Sequence, residues 1–97
     1  MVRDYEVLYI LDPALSEDET TEQIEKFSQF VTGQGGTVDK AERWERRKLA
    51  YEIKGRREGN YILMLCKAGP ELPIELDRVF KLSDQVLRGM ITRVDEA

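Results

Sequence analysis

Chemistry in this chain would have to proceed without histidine and with a single thiol, Cys66. A general base would then be a carboxylate, a tyrosine, a lysine or that cysteine. Cys66 stands in the apolar run Tyr61, Ile62, Leu63, Met64, Leu65, Cys66 with no imidazole to activate it, so it reads as a small core side chain rather than a nucleophile. The same counts exclude zinc sites of the Cys/His type and a disulfide framework inside the chain, and a lone thiol suits a reducing cytoplasm. Gly33, Gly35 and Gly36 follow a helical pattern instead of opening one, and no Lys-Ser/Thr pair comes next. They read as a helix cap and turn, not a phosphate cradle. The acids between Ser16 and Glu25 lack the spacing of a calcium loop. No catalytic activity, metal or organic cofactor is expected.

What remains is charge and its distribution. The formal net charge is −4, yet the six acids Asp12, Glu17, Asp18, Glu19, Glu22 and Glu25 occur in a stretch with no base. In residues 43–57, by contrast, seven bases (Arg43, Arg46, Arg47, Lys48, Lys54, Arg56, Arg57) face only Glu45 and Glu52. Charges are felt over about a Debye length, ~8 Å at physiological salt, so a local excess of +5 attracts a polyanion despite the acidic total. The alternative is a solvated hairpin kept soluble by its charge.

The elements that must carry these residues follow from periodicity. At 97 residues the chain has material for one core, so residues 1–97 are expected to form one domain. No apolar run approaches the ~18 to 20 residues a bilayer requires, and the N-terminus shows no secretory signal pattern. Tyr5, Val7, Tyr9 and Leu11 alternate along a strand over 3–11, closed by Asp12-Pro13. Ser16 with Glu19 is a capping-box signature, and Ile24, Phe27, Phe30 and Val31 recur at helical spacing, predicting a helix over 17–33. Acids in its first turns complement the helix dipole, which explains the acidic stretch without a ligand. Val38, Trp44, Leu49, Tyr51 and Ile53 favour one long strand over 37–53 that needs a bend or bulge. Residues 54–59 read as a turn with glycine near both ends, followed by a strand over 60–68. Gly69-Pro70 and Pro73 open a short helix with Leu72, Leu76, Val79, Phe80 and Ser83 on one face, and 86–94 is a last strand containing Gly89. The order β-α-β-β-α-β is the α+β ferredoxin-like plan, a four-stranded antiparallel sheet with both helices on one face.

On such a sheet, RNA-recognition-motif domains stack bases on aromatics of the third strand, but here that strand offers only Tyr61. RNA would then be held through phosphates by basic residues of the hairpin and strand ends. If Ile62, Met64 and Cys66 face the helices, the other face shows Leu8, Ile10, Tyr61, Leu63 and Leu65. That is more apolar surface than a monomer normally leaves open, so a loop, a second copy or a distinct protein should cover it.

Arg3-Asp4-Tyr5-Glu6, the stretch from Trp44 through Arg47-Lys48-Leu49-Ala50-Tyr51-Glu52-Ile53, the Gly59-Asn60-Tyr61 restart and Asp84-Gln85-Val86-Leu87-Arg88 together resemble the bacterial small-subunit ribosomal protein six family. The resemblance runs the whole length in order; one departure is Glu45, where that family usually has glycine after the tryptophan. It implies a cytoplasmic, non-enzymatic component of the 30S subunit that binds the central domain of 16S ribosomal RNA together with ribosomal protein eighteen, with no membrane and no small-molecule substrate. The RNA-side positions it implies are Arg3, Tyr5, Arg46, Arg47, Lys48, Arg88 and Arg93. From a different class, the alternative is a small dimeric ferredoxin-like enzyme or ligand sensor, which would need a titratable pocket between helices and sheet.

Overall fold

The computed structural model describes residues 2–94. Six elements succeed one another: β1 (Arg3–Leu11), α1 (Glu17–Gly33), β2 (Thr37–Ile53), β3 (Arg56–Ala68), α2 (Leu72–Leu82) and β4 (Val86–Arg93). The strands form an antiparallel sheet in the order β2-β3-β1-β4, with β2 and β4 as its edges. This is the ferredoxin-like plan the periodicity predicts.

Local signals act where they stand. The Ser16 hydroxyl accepts from the Glu19 amide at 3.1 Å while the Glu19 carboxylate accepts from the Ser16 amide at 2.8 Å, so two otherwise unpaired N–H groups at the start of α1 are satisfied. Proline in the first turn of α2 removes a donor that would have had no helical partner. Phe27 of α1, Phe80 of α2 and Tyr9 of β1 meet as an aromatic triad with ring centroids 4.9 to 5.3 Å apart. They lock both helices to the same sheet face, where Val7, Leu11, Ile62, Met64 and Cys66 are also buried. Apart from the tyrosines and Cys66, the buried polar residues among those described are Thr20 and Ser83.

The hairpin between β2 and β3 differs from expectation. The turn is not six residues but two, Lys54 (φ 50°) and Gly55 (φ 79°), flanked by the pair Ile53 and Arg56. Two consecutive left-handed residues make the tight hairpin turn whose twist matches that of the strands, so β3 starts at Arg56 rather than at residue 60. Gly59 is therefore a strand residue. Its lack of a side chain serves a close approach, since a Cβ there would stand 2.2 Å from Ile10 Cγ2.

This approach reflects a hairpin that arches across the outer sheet face. Tyr51, on edge strand β2, accepts a hydrogen bond from Arg88 on the opposite edge strand, Nη1 to Oη 2.6 Å. Lys54 Nζ donates to the Val86 carbonyl at 2.8 Å, and Arg56 pairs with Asp12 at 3.1 Å. The extended β2 strand makes the span possible through register shifts between Val38 and Lys40, Arg43 and Glu45, and Lys48 and Ile53.

Candidate nucleic-acid interface

Strand alternation and pairing place the candidate residues. Arg46, Arg47 and Lys48 lie on β2 opposite Asn60, Gly59 and Glu58, beside the C-terminal end of β1. Arg88 pairs with Ile10 at that same end. The fold thus gathers four of the proposed RNA contacts. Arg3 pairs with Ala68 and Arg93 with Tyr5 at the other end of the sheet. Seven residues along β1 separate Arg3 from the position opposite Arg88, roughly 23 Å at ~3.3 Å per residue. The seven positions do not form one patch.

Tyr5 is a correction. With 3% of its surface exposed it belongs to the core between sheet and helices, and its hydroxyl reaches toward the Gly69 carbonyl at 3.4 Å. The odd-numbered alternation that buries Val7 and Tyr9 buries Tyr5 with them. A second correction concerns Ile10, which does point to the outer face but is 5% exposed because the hairpin covers it. Beneath the hairpin a cavity of about 180 Å³ remains, lined by Ile10, Leu49, Tyr51, Arg88 and Met90 among others.

The basic block is also more internally compensated than its composition suggests. Arg43 pairs with Glu17 and donates to the Glu17 carbonyl at 2.9 Å and the Thr21 hydroxyl at 2.7 Å, tying β2 to α1. Arg46 pairs with Glu58, Arg47 with Glu45, Arg56 with Asp12 and Arg57 with Glu52. Asp12, Glu17 and Glu58 lie outside residues 43–57, and counting them lowers the local excess from +5 to +2. Such exposed pairs are worth about 0–1 kcal/mol each, little enough for a phosphate to replace the carboxylate. Lys48 is exposed and has no ion pair among the described residues.

At the far end three bases, Arg3, Lys67 and Arg93, stand against two acids, Asp4 and Asp39. Lys67 bonds Asp39 at 2.9 Å and stands 3.6 Å from Asp4, and the Asp39 hydrogen bond, with both carboxylates' charge, holds its ammonium above the ordinary lysine range. Arg3 is half-buried with an unpartnered Nε, and Arg93 is half-buried beside it on the sheet. The hairpin end is the better polyanion surface.

The reading from sequence missed one arrangement. The guanidinium of Arg47 lies over two rings, 5.0 Å from the centroid of Trp44 and 5.4 Å from that of Tyr61. The need for a bulge in β2 was visible in its length, but not that the bulge would fall at Trp44.

On the outer face, Leu8 lies between Leu63 of β3 and Met90 of β4 in one cross-strand row. Leu65 and Tyr61 flank Leu63, and Leu8, Tyr61, Leu63 and Leu65 are all half-buried. An apolar surface bordered by a basic hairpin, on a sheet closed by helices behind, leaves the identity of the fold to comparison. Residues 4–93 match the family described as Ribosomal protein S6. The chain belongs to that family. It is 50% identical over 94 residues to a protein named small ribosomal subunit protein bS6 from Desulforudis audaxviator, covering 97% of this chain and 100% of the relative. A protein of the same name from Moorella thermoacetica is 43% identical over 95 residues, covering 98% and 97%. The crystal structure of 30S ribosomal protein S6 from Thermotoga maritima superposes with a TM-score of 0.89 at 28% identity, covering 98% of this chain and 90% of that one. The ribosomal protein S6 family comprises structural proteins of the small subunit in the cytoplasmic ribosome, not enzymes. No helix among the described residues is long and apolar enough to cross a membrane.

Proposed function

We propose that this S6-family chain binds the central domain of 16S ribosomal RNA together with ribosomal protein eighteen. Arg46, Arg47, Lys48 and Arg88 contact the RNA at the hairpin end, and Arg3 with Arg93 form a second, smaller contact at the far end of the sheet. Leu8, Tyr61, Leu63 and Leu65 meet the protein partner.

The observation that carries this reading is the row Leu63, Leu8 and Met90 across three adjacent strands, on a face where a wet antiparallel sheet normally carries polar residues. The chain's own hairpin covers only the Ile10 end of it. Covering the remainder with a partner, at roughly 25 cal/mol per Å² of apolar surface, offsets association costs and lets two proteins present one basic surface to RNA. The enzyme or sensor alternative has no support of this kind, whereas the relatives of this chain are ribosomal proteins.

Leu63→Asp tests the reading. The variant should stay folded, with wild-type circular dichroism, because residue 63 lies on the face away from the core. Its binding to ribosomal protein eighteen, and joint binding to a 16S central-domain fragment, should fall at least ten-fold. A variant that folds and binds the partner normally would show the docking face to be elsewhere.

A further inference from the structure

Trp44 is half-exposed, at 50%, on the edge strand of the sheet. Its position is set by the bulge: pairing steps from Arg43 opposite Ile62 to Glu45 opposite Tyr61, which leaves Trp44 without a partner on β3. Bulges turn one side chain out of the regular alternation. Here the turned-out ring comes to rest against the Arg47 guanidinium, which also lies over Tyr61 and is held by the Glu45 carboxylate. Three flat groups from two strands are therefore prearranged, with the indole as their open end. Arg46 and the exposed Lys48 flank them on the same strand.

Flat open aromatic surface backed by a guanidinium and bordered by cations is the chemistry that holds unpaired nucleotides: the base stacks, and the neighbouring phosphates meet the charges. Duplex RNA has its bases stacked already and would use only the charges. An aliphatic side chain would fill an apolar role at this edge equally well, whereas the stacked Arg47 favours a π-face.

We infer that an unpaired base of the bound RNA stacks on Trp44, with Arg47 and Tyr61 as its support. This rests on the RNA-binding reading above and specifies which feature of the RNA that surface accepts.

Trp44 is the chain's single tryptophan, so its fluorescence reports the site directly. The intact chain at low salt is titrated with a single-stranded oligouridylate, with an RNA duplex of equal phosphate number, with heparin, and with ribosomal protein eighteen alone. The oligouridylate should quench the indole, whereas the other three should not. Trp44→Leu should weaken oligouridylate binding about ten-fold, Trp44→Phe should restore most of it, and neither should change duplex binding. Equal quenching by duplex or heparin, quenching by the protein partner alone, absence of quenching by oligouridylate, or unchanged affinity in Trp44→Leu each overturns the inference. If RNA binding survives Trp44→Leu but is lost on replacing Arg46, Arg47 and Lys48, stacking fails while the RNA reading stands. If neither RNA form binds even in the presence of ribosomal protein eighteen, both fail.

Discussion

Ile10 and Gly59 illustrate how a pair of residues distant in sequence sets what the sheet exposes. Alternation along β1 puts Ile10 on the outer face beside Leu8, yet Leu8 is half-buried and Ile10 is buried. The difference is the missing side chain at position 59, which lets the backbone of β3 come down on Ile10 Cγ2. Gly59→Ala should therefore push the hairpin outward, because the Cβ would meet a branched, buried side chain and not a flexible tip. We expect a loss of about 1–3 kcal/mol in urea-induced unfolding, in the range of overpacking. The smaller variant Ile10→Ala should recover part of it in the double mutant, a coupling that a double-mutant cycle measures. Tyr5 makes the complementary point: its burial is legible from spacing with Val7 and Tyr9, and only likeness to a family suggested otherwise.

At the scale of the element, the β2–β3 hairpin carries the RNA hypothesis, and its charge is partly spent inside the chain. Replacing Arg46, Arg47 and Lys48 together by alanine removes three cations and leaves Glu45 and Glu58 without partners. Affinity of the assembled complex for RNA should fall, and the slope of log affinity against log salt should flatten by roughly 0.7 to 0.9 for each phosphate that is no longer neutralised. Measuring that slope over a salt series for both proteins separates phosphate neutralisation from apolar binding, and an unchanged slope would place the RNA surface off the hairpin. The extended strand and its bulge requirement were readable from composition. The two-residue turn was not, because Lys54 in a left-handed conformation is not signalled by residue type as glycine is. The arch was not either, since the hydrogen bonds from Arg88 to Tyr51 and from Lys54 to Val86 join segments far apart in the chain.

Considered whole, the molecule has no histidine, and its main burial-perturbed groups titrate in the alkaline range. Burial, with Asp39 and Asp4 adding to it, pushes the Cys66 thiol up to about 11 from an ordinary value of 9.0. Burial likewise raises the Tyr9 phenol. Lys67, also raised, acts in the same sense through its bond with Asp39. For each group the unfolded chain gives up its proton first, so stability is fully present below the unfolded value and declines as pH rises through the folded one. Unfolding free energy should hold steady from pH 7 to about 9 and drop between about 9 and 11. Urea titrations across that range check this. Cys66→Ala should show a shallower decline, the remainder coming from Tyr9 and Lys67.

The sequence by itself determined the elements and the two faces of the sheet. Capping at Ser16 and Glu19, helical recurrence through Phe27 and Phe80, and period-two alternation at Val7, Tyr9, Ile62, Met64 and Cys66 are interactions between near neighbours or sums over one face, and these are written locally. Only the tertiary structure decided which outward residues stay open, which cations are already paired, and how the candidate RNA contacts divide between the two ends of the sheet. Ile10 is covered by a hairpin from much later in the chain, Arg43 is taken by Glu17 of α1, and Trp44 is turned out by a slip against β3. Each of these depends on where a second segment lies in space, and no period or composition along one segment contains that information.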